Sequence, residues 1–398
     1  MIGHLLRLVW NRKRTHLLIM LEVFLSFLVV FVLLVAGLYF LQLYKRPLGF
    51  DYRNVWAIYV DRETGESEWT AEEARTFRQV RNELDRMPEI QALGTASNHP
   101  FSNSESLTTW EQNGRAITTE VAVASSGLRE ALDIRLIAGR WFEPEDHALD
   151  WDPVVIDRLL AEQLVGAGDP VGLVLQYGGS DTVRETRVVG VISSFLRGGP
   201  FAVHDGFMFR GADEENDEGY PTNLLIARLT PGTPADFEER MLERLQRIGR
   251  GWTYTVFPLV DSRTVKLQER LVPLAVLGTI GGFLLIMVVL GLTGVMWQNV
   301  IRRTREIGLR RAAGAHRSAI HRQIVLEVMI TASFGVLLGV ALGVQVPVLG
   351  PFAFVPFTVI AQGLAVSTVL ILSLAGLCGL YPGWSATRIQ PAEALHYE

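Results

Sequence analysis

Two carboxylates interrupt otherwise uncharged apolar runs: Glu22, inside Leu17 to Tyr44, and Glu327, near the start of the run that continues to Thr387. An ionisable group in hydrocarbon is costly and usually serves an ion path, a ligand or a bond between helices. Both lie close to one end of their runs, so interhelical hydrogen bonding or snorkelling to the interface is the plainer expectation. Enzyme chemistry has less support. His99, His147 and His204 are the histidines of the large central segment, and no serine stands in a G-x-S-x-G elbow, which argues against a hydrolase. The acidic stretch Asp213 to Glu218 lacks the ligand spacing of a calcium loop and reads as a solvated turn. No metal site is expected. Of 37 basic residues only Lys13, Lys45 and Lys266 are lysines, and none belongs to a G-x-x-x-x-G-K-[ST] phosphate loop. The chain is therefore expected to have no catalytic residue, to bind no cofactor and not to hydrolyse ATP itself. Its single cysteine, Cys378, excludes an intramolecular disulfide.

The elements that place the two carboxylates are membrane spans. Leu271 to Ile301 contains no charged residue, and Val328 to Thr387 contains none either, enough for two crossings of about 20 residues each. With the first run this predicts an integral membrane α-helical protein with four transmembrane helices, at 17–44, 271–297, 324–346 and 360–381, since lipid-exposed backbone must satisfy its own hydrogen bonds. The remaining segments are a 1–16 amphipathic N-terminal stretch, a 45–270 domain, a 298–323 basic loop, a 347–359 connection and a 382–398 tail. In the first of these Ile2, Leu5, Leu6 and Val9 share a face opposite the basic residues, which suits the inner membrane surface. Gly335, Gly339 and Gly343 recur every four residues on the third span, a close-packing face for another helix of this chain or of a second copy.

Arg7, Arg12, Lys13 and Arg14 precede the first span, seven arginines lie between the second and third, and Arg388 follows the fourth. The excess of basic residues puts both termini and the 298–323 loop in the cytoplasm and leaves 45–270 outside. Lys45 and Arg46 are the contrary pair. The first run is too long for a signal-peptide core and is kept as an anchor. Residues 45–270 carry 37 acidic and 25 basic side chains, while the rest carries 5 and 12. An acidic exterior argues against nucleic acid, and basic inner flanks suit contact with anionic membrane lipid.

The exterior domain is expected to be α+β. Val55 to Val60 reads as a strand, Ala71 to Met87 as a helix and Ile90 to Ala96 as a strand; Leu224 to Leu229, Pro234 to Ile248 and Trp252 to Leu259 repeat the order. Two β-α-β porter-like halves thus bracket a β-rich insert. Strand signals in the insert lie at Ile117 to Ala124, Val154 to Ile156, Leu173 to Tyr177 and Arg187 to Ile192, with a helix near Asp157 to Val165.

The basic loop, Arg302 to Gln323, carries more than an orientation signal. Glycine in an exposed helix costs about 1 kcal/mol relative to alanine, so Gly308 and Gly314 imply special backbone angles or close approach of a partner. Gly314 suits a helix C-terminus, Ser318 the N-cap of the next helix, and Glu306 can pair with Arg310 one turn on. The small run Ala312 to Ala315 permits tight docking.

Three blocks resemble the permease subunits of MacB/FtsX-type, or type VII, ABC transporters: RTREIGLRRAAGAHRSAIHRQIVLEV from Arg303, LYPGWSATRIQPAEALHYE from Leu380, and IRLIAGRWFEPED with DPVGLVLQYGG and TRVVGVISSF in the large domain. The resemblance implies a bacterial cytoplasmic-membrane permease, dimeric with a second copy or a paralogue. Its partner is a cytoplasmic ABC ATPase subunit that uses ATP and magnesium and docks on Arg305, Glu306, Ile307, Gly308, Arg311, Ala313 and Gly314. It also implies that ATP-driven movement reaches the exterior domain, either expelling a cargo by mechanotransmission or signalling to an extracytoplasmic protein partner. Glu22, Gly383 and Trp384 depart from the family's usual pattern.

Overall fold

The structure, a computed structural model, describes residues 13–62, 69–112, 114–143, 145–146, 150–177, 185–203, 205–212, 222–302, 304–312, 314–345 and 354–386. The amphipathic 1–12 stretch, the acidic 213–218 turn, most of the 347–359 connection, Ala313 and the tail from 387 lie outside the described residues. The chain divides into two compact units, Tyr44–Arg270 on one hand, and Met1–Leu43 with Leu271–Glu398 on the other.

In the first unit, strand β1 (Val55–Asp61), helix α1 (Ala71–Asp85) and strand β2 (Ile90–Thr95) form the first half, and β10 (Leu224–Leu229), α4 (Phe237–Ile248) and β11 (Thr253–Pro258) the second. The halves are not separate. They share one antiparallel sheet of order β11-β1-β10-β2, so each contributes one central and one edge strand. This is the split β-α-β arrangement of ferredoxin-like folds. β1 alternates between two cores: Ile58 and Val60 pack under the helices with Val80, Leu84, Met241 and Leu245, whereas Val55 and Ala57 enter a second core on the opposite face. Burial on both faces explains why VWAIYV is continuously apolar rather than alternating. Helix α1 starts at a capping box, with Glu73 N–H donating to Thr70 Oγ1 at 3.2 Å and Thr70 N–H to Glu73 Oε2 at 2.8 Å.

The insert contains β3 (Leu107–Gln112), β4 (Arg115–Ala124), a one-turn α2 (Leu128–Leu132), β5 (Leu136–Gly139), β6 (Asp152–Asp157), α3 (Arg158–Val165), β7 (Val174–Tyr177), β8 (Thr186–Ile192) and β9 (Phe207–Gly211). Pairings run β5-β8-β6-β9-β4-β3-β7, and β7 pairs again with β8, so six strands close into a ring and β5 flanks it. Trp110, Val121, Ile156, Leu175, Val188 and Met208, one from each ring strand, share a core with Leu160 and Leu164 of α3. Asp157, fully buried, caps α3 by accepting from Leu160 N–H at 2.9 Å and also accepts from Phe207 N–H at 3.1 Å. β3, β5, β9 and α2 had no sequence signal strong enough to name them.

The second unit holds α5 (Lys13–Tyr44), α6 (Leu259–Arg302, which begins in the first unit), a short α7 (Thr304–Ala312), α8 (Arg317–Gln345) and α9 (Phe357–Ala386). Four of these are long and apolar enough to cross a membrane. Each helix outruns the apolar window expected from sequence, because helical hydrogen bonding continues into polar flanks that a hydropathy limit cuts off. α5, α8 and α9 pack around Phe27, Phe31, Val328, Ala332, Ile360 and Ala375.

Candidate coupling site and membrane face

Between α6 and α8 the chain makes a compact hairpin. Ile307 of α7 is buried with Val300 of α6 and Ile320 of α8, and Ile324 packs against them. Burying such side chains is worth about 1.5–3 kcal/mol each, which supports a helix of 9 residues too short to persist alone in water. Arg310 donates to Gln323 Oε1 at 3.0 Å and ties α7 to α8. Gly314 has φ +91°, and Ala315 N–H donates to the Arg310 carbonyl at 3.0 Å, the long bond of a Schellman C-cap. A residue with a Cβ is strained at that φ, which accounts for glycine there.

The expected docking residues divide by face. Ile307 and Gly308 are buried against the chain's own helices, so they hold the hairpin together rather than offer a surface. Arg305 and Gly314 are exposed, with Ala315, Arg317 and Ser318 beside them. The side chains of Glu306 and Arg311, and Ala313 altogether, lie outside the described residues, and the expected Glu306–Arg310 pair with them. Ser318 is not the N-cap: His316 C=O accepts from Ala319 N–H at 3.0 Å, so α8 starts earlier, the Schellman turn leaving only Ala315 and His316 before helical angles resume. Sequence reading missed Leu309, which is 63% exposed. Two residues from Ile307, it stands about 200° round the helix, so only one of the pair can enter the core. The signal was present in that spacing.

On α8, Gly335, Gly339 and Gly343 face α5 and α9. A Cβ on Gly335 would stand 2.7 Å from the Met20 carbonyl oxygen, one on Gly339 would run into the Phe27 ring, and one on Gly343 would meet Leu364 at 2.7 Å. These glycines serve packing within this chain. Glu327 is buried in α8. Glu22 is half-buried, with its carboxylate beside Gly291 of α6 where a Cβ would otherwise stand. Trp297 and Tyr381 stack at 6.0 Å, and Tyr381 lies 6.4 Å from Trp384, an aromatic group of the kind that marks a membrane interface.

In the Tyr44–Arg270 unit the polar centre is Arg197, only 2% exposed, paired with Glu120 and donating to Ser102 Oγ at 2.6 Å. His99 stacks on Phe257 and donates through Nδ1 to the Pro100 carbonyl at 2.6 Å. Among the described residues no group of three His, Cys, Asp or Glu could hold a metal ion.

Four helices long and apolar enough to cross a membrane, a basic hairpin between two of them and a large α+β domain between the first two describe a multi-pass membrane protein. The chain matches the MacB-like periplasmic core domain over residues 17–244 and the FtsX-like permease C-terminal domain over 278–391, and it belongs to this MacB/FtsX-like family of ABC transporter permeases. It is 27% identical over 333 residues to the macrolide export ATP-binding/permease protein MacB of Bdellovibrio bacteriovorus, covering 80% of this chain and 50% of that protein. It is 26% identical to the probable syringafactin export ATP-binding/permease protein SyfD of Pseudomonas syringae, over 68% of this chain and 41% of that one. The chain thus spans about half the length of the curated relatives it matches. Similar solved structures include the periplasmic region of MacB from Actinobacillus actinomycetemcomitans, at 13% identity and a TM-score of 0.38, covering 57% of this chain and 98% of that one. The extracellular domain of the transporter YknZ from Gram-positive bacteria follows, at 13% identity and a TM-score of 0.36, over 51% and 100%.

Proposed function

We propose that the chain is the permease part of an ABC exporter whose basic hairpin docks on a separate cytoplasmic ATPase subunit, so that ATP hydrolysis there moves the exterior domain and drives export by mechanotransmission. The observation that carries this reading is the two-faced α7. Its inner face is fixed by Ile307, while its outer face leaves Leu309 bare, one helical turn from the exposed Arg305. An exposed apolar anchor with a cation one turn away fits an acidic groove on a protein better than it fits water. In this reading both termini and the hairpin are cytoplasmic, and two permease copies or paralogues share the ATPase. The names of the relatives, macrolide and syringafactin export, favour expulsion of a cargo over signalling to an exterior partner.

The test is Leu309→Asp, which changes the outer face alone, beside Ile307→Ala, which loosens the inner one. Gly314→Leu is less informative, because strain at positive φ would be added to any loss of docking. Membrane insertion and exterior folding are expected to survive Leu309→Asp. Co-purification of the cognate ATPase and export are expected to fall by about tenfold or more, as for loss of an interface anchor. Full ATPase retention and full export by Leu309→Asp would refute the docking surface.

A further inference from the structure

The Glu22 carboxylate stands in an apolar groove that nothing in the coupling reading uses. A cavity of about 180 Å³ lies between α5 and α6, lined by Glu22, Leu25, Ser26, Val29, Leu284, Leu285 and Val288. Among the described residues no hydrogen bond reaches the carboxylate. The hydroxyl in the lining is turned onto its own helix: Ser26 Oγ donates to the Glu22 backbone carbonyl. Nor is the site shallow. Gly291, which faces Glu22, precedes Trp297 of the interfacial aromatic group by six residues, roughly 9 Å along the helix. A carboxylate at that depth without a donor carries a large desolvation cost, which a cation in the groove would offset.

We propose that this groove binds a lipophilic amine: a protonated amine at Glu22 with a single aliphatic chain or ring lying along Leu25, Val29, Leu284 and Val288. Two other occupants fit worse. A second copy of this chain would need a Lys or Arg at the same depth, and its apolar runs 17–44, 271–301 and 328–387 contain none. A diacyl phospholipid would have to draw its phosphate below the aromatic level with its ammonium. The inference does not depend on ATPase docking, since none of these residues lies in the hairpin.

The test uses the full chain in phosphatidylcholine nanodiscs at neutral pH, with a diazirine-bearing dodecylamine as probe and the matching dodecanol as its neutral control. The amine is expected to label peptides containing residues 22–29 and 284–291 saturably. Unlabelled dodecylamine should compete and dodecanol should not, an outcome that needs no variant. Glu22→Gln should lower amine labelling by about tenfold or more, the weight of a charge-assisted hydrogen bond, without changing the weak labelling by the alcohol. Val288→Phe, which fills the groove, should lower labelling by both. Equal labelling by amine and alcohol, undiminished labelling of a folded Glu22→Gln chain, or closure of the groove by a second copy, seen as Leu25→Cys forming a disulfide between copies, would overturn the proposal.

Discussion

Arg197 and Glu120, 77 residues apart in sequence, form an ion pair in which the arginine side chain is 1% exposed and the glutamate 21%. The same guanidinium donates to the Ser102 carbonyl at 3.2 Å and to its hydroxyl, while Phe101 N–H donates to the Arg197 carbonyl at 2.7 Å. One side chain thus fastens the segment after β2 to β4 and to the loop after β8. It also holds Phe101 at φ +69°, an angle that costs a bulky residue about 1–3 kcal/mol. Arg197→Met is expected to remove about 3 kcal/mol, the low end for breaking a buried pair because water reaches Glu120. In a domain of this size that lowers Tm by roughly 6–12 °C. Arg197→Lys should fall between, since an ammonium cannot reproduce the forked geometry. Thermal unfolding followed by tryptophan fluorescence decides; Arg197→Met melting with the parent would show that the network carries no weight.

Gly339 and Phe27 make a second such test inside the membrane unit. The ring of Phe27 occupies the space a Cβ would need, so Gly339→Leu is expected to destabilise by about 1–3 kcal/mol through overpacking. Phe27→Ala should make room for the new side chain. The double variant is then expected to lose less than the two single losses together, by about 0.5–3 kcal/mol of coupling. Thermal stability of the four proteins in one detergent measures it, and strict additivity would mean the two helices do not meet there.

Sequence patterning reached some of this architecture and missed the rest for physical reasons. Uncharged runs announce membrane helices because hydrocarbon tolerates nothing else, and the strands at Val55 and Leu224 were visible because both of their faces are buried. That those strands lie side by side was not visible. Pairing such as Ala57 with Ile226 joins residues far apart along the chain, and periodicity carries no long-range register. β5 escaped notice because its LIAG run is short and mostly exposed. In the hairpin, composition singled out the segment but could not say that Ile307 turns inward and Leu309 outward until α6 and α8 supplied the inner core.

His99 is expected to give the Tyr44–Arg270 unit a pH dependence. Burial pushes its imidazole pKa below the usual histidine value, and the Arg197 cation works the same way, while the bond to the Pro100 carbonyl opposes both. Tyr59, edge-on at 5.7 Å, and Phe257 complete its surroundings. The folded state therefore favours neutral His99, and the unfolded chain binds its proton first as pH falls. The stability this contributes is complete above the unfolded pKa of about 6.5 and is lost as pH drops from there through the lower folded value. Amide exchange in residues 95–102 is expected to slow less between pH 7 and 5.5 than base-catalysed exchange intrinsically does, an excess read as a fall in protection. His99→Phe, which keeps the stack on Phe257 and cannot titrate, should abolish that excess. An identical excess in the variant would assign the dependence to another group.

Orientation is the remaining expectation, and it rests on an asymmetry of charge. Seven arginines lie between Arg302 and Arg322, whereas Lys45 and Arg46 are the basic pair next to the other end of the first span. Basic residues close to span ends are retained in the cytoplasm, while long domains cross largely regardless of their charge, so the hairpin outweighs the pair. Two positions report on the two sides: Ala235, exposed just before α4, and Ser318, exposed at the start of α8. In a Cys378→Ser background, which removes the buried native thiol, Ala235→Cys is expected to react with a membrane-impermeant maleimide in intact spheroplasts. Ser318→Cys should react only after lysis. Both substitutions replace small exposed side chains, so folding is not disturbed and reactivity reports access alone. Labelling of Ser318→Cys in sealed spheroplasts, with Ala235→Cys protected until lysis, would invert the protein in the membrane and separate the hairpin from any cytoplasmic ATPase.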